Sequence, residues 1–266
     1  LDRLVTILIA PLMTCSARLP VYVLLIAAFV PATTVWGGIG LQGLVMFGLY
    51  AAGIVGALVV AGVLRLTVLR GESQPLLMEL PGYKWPNPAN VLLGLWERAK
   101  IFIRRIGTII LSVLIVLWFL STFPAAPEGA TEPAIYYSFA GLIGRTLEPL
   151  LAPIGFNWQI AIALVPGLAA REVAVAALGT VYALSGDEGA VSEALTATLA
   201  QSWTLATALA LLAWYVFAPQ CLATLAAVRR ETNSWRWAAF MFVYLMALAY
   251  LAAFVTYRVA LALGGG

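Results

Sequence analysis

Apolar residues in this chain accumulate in long runs, at about 4–31, 39–69, 101–122, 158–184, 200–228 and 235–262. Each is ~20 residues or longer, the length an α-helix needs to cross the hydrocarbon core of a bilayer. Pro11, the segment Thr14-Cys15-Ser16-Ala17-Arg18 and Pro20 interrupt the first run. A straight helix over that run would measure ~42 Å against ~30 Å of hydrocarbon, so the interruptions predict a broken helix. Gly71, Pro75, Pro81, Gly82, Pro86 and Pro88 mark 70–90 as a loop. Beyond it Leu92, Leu95, Trp96 and Ala99 share one helical face, while Glu97, Arg98 and Lys100 fall largely elsewhere. That spacing predicts a short interfacial helix feeding the span at 101. The stretches 123–157 and 185–199 read as connections.

Loop charge orients these elements. Arg65, Arg70, Lys84, Arg98, Lys100, Arg104 and Arg105 lie between the second and third runs, and Arg229, Arg230 and Arg236 lie near the connection before the last. Both regions are cytoplasmic by the positive-inside rule. The 123–157 and 185–199 connections have no such cationic excess. Two cytoplasmic loops require an even number of crossings between them, yet three apolar runs intervene. One run must therefore enter and leave on the same side. The expectation is a re-entrant hairpin over 158–184, with Pro166-Gly167 at or near its tip. The fold class expected is an all-α polytopic membrane bundle with broken helices and one re-entrant hairpin. Its parts are a helical group over 1–70, a cytoplasmic loop with the interfacial helix over 71–100, and a second helical domain over 101–266. Trp36, Trp118, Trp158, Trp203, Trp235 and Trp237 sit near segment ends, as an aromatic belt requires.

Composition agrees with the pattern. Hydrophobic residues make up 63% of the chain and charged residues 10%, against about 45–50% and about 25% in a soluble domain. The net charge of +3 comes from basic residues clustered at membrane edges, so no nucleic-acid partner is expected. There is no histidine, which removes the commonest metal ligand and general base. Asp2 and Asp187 are the only aspartates and lie at segment edges, so an aspartyl dyad or Ser-His pair cannot be built. No Gly-x4-Gly-Lys-Ser/Thr pattern occurs, and this chain alone is not expected to bind GTP or act as an enzyme. Leu1 is neither an initiator Met nor part of a signal-peptide n-region, which reads as part of a longer polypeptide.

Candidate chemistry lies at the interruptions. Arg171 and Glu172 fall inside an apolar run just after Pro166-Gly167, where a charge costs at least about 2.5–3.5 kcal/mol unless it faces protein, water or an ion. Glu172 reads either as a cation ligand or as a lock between helices. Arg171 is not its same-face partner, because neighbours in sequence point apart on a helix. Cys15 and Cys221, the only cysteines, both lie within apolar segments at proline-marked breaks, Cys221 just after Pro219. Each reads either as a small packing residue or as a soft metal ligand. Arg18 would favour a thiolate at Cys15. Met13, Thr14 and Ser16 add soft and hard donor atoms. Gly53, Gly56 and Gly62 fit close helix approach and carry no chemistry.

Four stretches carry a family resemblance: Leu1 to Tyr22, with Pro11-Leu12-Met13-Thr14-Cys15-Ser16-Ala17-Arg18; Trp96-Glu97-Arg98-Ala99-Lys100, followed by Arg104-Arg105-Ile106-Gly107-Thr108; Gly167-Leu168-Ala169-Ala170-Arg171-Glu172-Val173; and Pro219-Gln220-Cys221-Leu222-Ala223-Thr224 with Arg229-Arg230-Glu231-Thr232. In order, and over nearly the whole chain, these resemble the membrane part of the FeoB family of bacterial ferrous-iron transporters, lacking its N-terminal GTPase domain and first gate. The third stretch resembles the family's second gate motif, which makes 101–266 gate-like. The resemblance implies a multi-pass permease of the bacterial cytoplasmic (inner) membrane, with ferrous iron as transported substrate and nothing bound permanently. It implies as metal residues Cys15, Cys221 and Glu172, and as pathway or gate residues Met13, Thr14, Ser16, Arg18, Pro166, Gly167, Arg171 and Pro219. Implied partners are the lipid bilayer, a GTPase domain on the same or an associated polypeptide, a small accessory cytoplasmic protein and further copies of the chain in a homo-oligomer. The alternative is a nucleoside- or anion-type secondary transporter with hairpin gates. Against it, few midplane amides are on offer besides Gln159, Gln201 and Gln220.

Overall fold

The computed structural model describes residues 2–36, 39–67, 85, 87–125, 127, 134–169, 173–182, 188–219 and 222–264. Helix dominates. In chain order the helices are α1 (Asp2–Ile9), α2 (Leu19–Phe29), α3 (Leu41–Thr67), α4 (Pro88–Thr122), α5 (Ala134–Tyr137), α6 (Phe139–Leu151), α7 (Trp158–Ala169), α8 (Val173–Val181), α9 (Glu188–Ser202), α10 (Leu205–Phe217), α11 (Leu222–Thr232) and α12 (Trp235–Ala262). A two-stranded antiparallel ladder, β1 (Thr34–Trp36) with β2 (Ile39–Gly40), joins α2 to α3. Among the described residues α3 and α12 are each long and apolar enough to cross a bilayer alone. The chain is a multi-pass membrane protein of the all-α class.

Two apolar cores lie along α12. The larger joins α2, α7, α8, α9 and α10 to Ala249 and Ala253 of α12, and the smaller joins α1, α3 and α11 to Ala238, Met241 and Leu245. Ala206, Ala210, Ala249 and Ala253 are fully buried. Small residues on α10 and α12 let helices approach closely where lipid gives no hydrophobic drive. At the basic edge Arg3 pairs with Glu231 at 2.8 Å, and Arg229 lies over the Trp235 ring at 4.1 Å.

Three expectations change. The interfacial helix is not separate: α4 runs unbroken from Pro88 to Thr122, about 52 Å of helix. Nothing between Lys100 and Ile101 breaks helix, and Asn87 caps its start by accepting from the Ala89 N–H. The connection at 123–157 contains α5 and α6, and the one at 185–199 contains most of α9. Arg145, Glu148 and Pro149 hide α6 from an apolar-run reading, although Ala140, Gly141, Gly144 and Leu151 form its buried side. Both hidden helices turn back on their successors, by 109° between α6 and α7 and by 117° between α9 and α10. Gly155, at φ +79°, makes the first of these turns.

The third concerns Pro166-Gly167, which stays near the end of its helix but is helical rather than a break. Ile162 and Val181 share one buried cluster, and a side chain added at Gly167 would meet Ala174 Cβ at 3.3 Å. These pairings make α7 and α8 antiparallel, as a hairpin over this run requires, and Pro166-Gly167 lies in the last turn of α7. Gly167 is buried where helices meet closely, so its smallness serves packing rather than the turn.

A hairpin at 158–184 requires that cysteines substituted at Ala134 and Asp187 react with an impermeant thiol reagent from the same, non-cytoplasmic side. Labelling from opposite sides would show instead that the run crosses the bilayer.

Candidate functional site

The first helix break follows from its prolines. Pro11, without an N–H, sits in the 3₁₀ turn Ala10–Leu12, after which Met13 is extended. Cys15 is also extended, at φ −104° and ψ 162°, and precedes a second 3₁₀ turn, Ser16–Arg18. Pro20 then falls in the first turn of α2, where no intrahelical N–H is needed. The break is held across itself: Arg18 Nη2 donates to the Pro11 carbonyl at 3.1 Å. Arg18 is 0% exposed. Thr14 and Cys15 are half-buried, and Met13 and Ser16 are exposed. Cys15 is a free thiol.

The break rests on α3 at glycine. A side chain at Gly53 would meet Thr14 Oγ1 at 3.1 Å, the Leu12 carbonyl at 3.2 Å and Val216 at 3.9 Å. One turn further, a side chain at Gly56 would strike the Phe217 ring at 2.5 Å. Positions three apart share a helix face. The first break and the last turn of α10 are therefore seated side by side on one face of α3. The same turn reaches α7, since the Tyr215 hydroxyl lies 3.2 Å from where a side chain at Gly167 would begin. Tyr215, Val216 and Phe217 thus face α7 and two levels of α3 in succession. Directly after them come buried Ala218 and Pro219, where α10 ends.

Of the residues singled out from sequence, the described ones that gather here are Met13, Thr14, Cys15, Ser16 and Arg18 on the first break, Gly167 on α7 and Pro219 after α10. Pro166 lies within α7. Arg171, Glu172 and Cys221 lie outside the described residues, although their described flanks, Gly167, Ala174 and Pro219, border the last turn of α10. Among the described residues no three His, Cys, Asp or Glu side chains form a metal-holding group. The donors on the break are the Cys15 thiol, the Thr14 and Ser16 hydroxyls and the Met13 thioether, a mixture that suits a borderline transition metal better than a purely hard ion. The expected close approach holds at Gly53 and Gly56 but not at Gly62, and sequence reasoning missed the partners Tyr215 and Phe217. The available signal was the spacing of two glycines on one helix face.

Gly62 supplies an internal control, because a side chain there meets nothing within 4 Å. Gly56→Ala is expected to destabilise the fold by about 1–3 kcal/mol through overpacking against Phe217. Gly62→Ala should be neutral or stabilise by up to about 1 kcal/mol. Unfolding in detergent or bilayer measures both, and equal effects would remove the close seat at Gly56.

Comparison with known proteins fits this architecture. The family described as "Ferrous iron transport protein B C terminus" matches residues 46–98, and the family described as "Nucleoside recognition" matches residues 103–235, half of the chain. The Fe(2+) transporter FeoB of Leptospira interrogans is 38% identical over 97% of this chain and 39% of its own length. That of Campylobacter jejuni is 33% identical over 97% of this chain and 42% of its own. The Fe(2+) transport protein A/Fe(2+) transporter FeoB fusion protein of Porphyromonas gingivalis is 34% identical, over 97% and 34% respectively. No solved structure matches the chain. The chain spans less than half the length of these curated relatives. With both family matches in order and nearly all of its residues aligned to these relatives, the chain belongs to the FeoB family and corresponds to its C-terminal membrane part.

Proposed function

We propose that this chain is the permease part of a ferrous-iron transporter of the bacterial cytoplasmic (inner) membrane, passing Fe²⁺ to the cytoplasm along the helix breaks around the last turn of α10. The observation that carries the reading is the seating of the Cys15 break and the end of α10 against one face of α3, in a chain whose relatives are named Fe(2+) transporters. Broken helices facing protein rather than lipid are where membrane carriers place ion sites. Cys15 and Cys221 serve as soft ligands in deprotonated form, and Glu172 supplies the hard, anionic one. Thr14, Ser16 and Met13 line the same path, and Arg171 pairs elsewhere. Val216 borders the same glycine as Thr14, and Cys221 follows Val216 closely in sequence, which supports one path serving both thiols. The nucleoside-carrier alternative is not favoured, because the aligned relatives are named for iron.

The remaining length of such a transporter supplies the GTPase domain, on the same or an associated polypeptide. The Porphyromonas fusion supports an accessory protein as a further partner. A homo-oligomer in the bilayer completes the assembly.

Glu172→Gln tests the path within the complete transporter. It keeps shape and much of the hydrogen bonding while deleting the charge. For a pathway ligand, ferrous uptake per folded molecule falls about tenfold or more, the scale of one lost charge-assisted contact. For a helix lock, a buried cation is left unpaired at about 3–5 kcal/mol, so expression and thermal stability fall while uptake per folded molecule stays normal. Normal specific uptake ends the ligand reading.

A further inference from the structure

The first break holds a charge that nothing described compensates. Arg18 is completely buried, and its single described hydrogen bond to a carbonyl uses Nη2. Nε and Nη1 have no hydrogen-bond partner among the described residues. Among the described residues the titratable groups facing the guanidinium are Tyr22, whose hydroxyl also interacts with it, Cys15, and Tyr50 of α3. None is a carboxylate, and the one ion pair among the described residues, Arg3 with Glu231, lies at the exposed basic edge. The same break carries a second such donor: Thr14 Oγ1 is buried without a hydrogen-bond partner among the described residues. It sits above Gly53, one turn along α3 from Tyr50. A buried guanidinium with two idle nitrogens, beside an idle buried hydroxyl, is a set of donors lacking an acceptor.

We propose that the Thr14–Arg18 break binds a compact monovalent anion, of halide type, held by the Arg18 guanidinium and the Thr14 hydroxyl. Water would satisfy the hydrogen bonds but leave the charge uncompensated, whereas one monovalent anion answers both. A multivalent oxyanion would overcompensate a single cation. The anion would remove the repulsion that a bare guanidinium exerts on a divalent cation passing Cys15. That consequence rests on the iron reading; the anion site itself does not.

The test uses the purified chain in nanodiscs without metal, so its failure leaves the iron reading standing. Bromide is titrated against gluconate at constant ionic strength while thermal unfolding is followed. Bromide should stabilise the fold saturably, shifting the folding equilibrium about eleven-fold at ten times its dissociation constant. Arg18→Gln should abolish the shift, and Thr14→Val should weaken bromide about tenfold, one hydrogen bond to a charged group. No bromide effect, or one that survives Arg18→Gln, overturns the proposal. That is the result expected if the Glu172 carboxylate or the Cys15 thiolate compensates Arg18. Should Arg18→Gln not fold, anomalous scattering from bromide in crystals of the unaltered protein decides. A peak within hydrogen-bonding reach of Arg18 and Thr14 upholds the site, and its absence there overturns it.

Discussion

A helix that stops inside a bilayer frees carbonyl and amide groups that lipid cannot satisfy. At two of the described interruptions protein answers freed carbonyls and amides. At the first break Arg18 supplies the Pro11 carbonyl, and Tyr244 of α12 donates to the Leu8 carbonyl at the end of α1. At the α6–α7 bend, the Asn157 side chain accepts from the Ile160 N–H at 3.0 Å, and the Thr207 hydroxyl donates to the Gly155 carbonyl at 3.1 Å. Tyr250, further along α12, donates to the Leu150 carbonyl at 3.0 Å. One unbroken helix thus sends two phenols to the ends of two broken ones. The long apolar spine of α12 is what allows its neighbours to stop short.

That division between spine and broken helices was partly legible in sequence. Long runs with few charges fix α3 and α12 because length and apolarity both point to spanning helix. The break over 10–20 is equally readable, since two prolines and a cluster of small polar residues remove helix locally. Pro166-Gly167 misleads for a physical reason: propensity measures what a segment prefers in isolation, while α7 is held by α8 and by Tyr215 across Gly167. The amphipathic α6 escapes an apolar-run reading because Arg145 sits against the Tyr136 ring at 4.1 Å, a charge placed at an aromatic end rather than in hydrocarbon.

The candidate site divides in the same way. Cysteine, carboxylate and proline advertise themselves by chemistry, so Cys15 and the 10–18 break were readable before any coordinates. The glycines were readable as points of close approach but their neighbours were not, because a missing side chain states only that something comes close. Gly53 admits the Leu12 carbonyl and the Thr14 hydroxyl, whereas Gly56 admits an aromatic ring. No count of small residues separates those neighbours. Arg18 was legible as a basic residue near a thiol, but its complete burial was not. Burial changes its meaning from a helper of Cys15 into a charge that the whole break must accommodate.

The seating of the last turn of α10 also constrains how the site can move. Phe217 and Tyr215 approach Gly56 and Gly167 too closely for an added side chain, and Val216 is in contact range of Gly53. Packed interiors respond to displacement by switching between discrete arrangements rather than by gradual deformation. Moving this turn along α3 would carry Phe217 off Gly56 and Val216 off Gly53, and would withdraw Tyr215 from Gly167 at the same time. The first break, the re-entrant hairpin and the end of α10 therefore share one set of contacts. A rearrangement that opens any one of them must repack the other two.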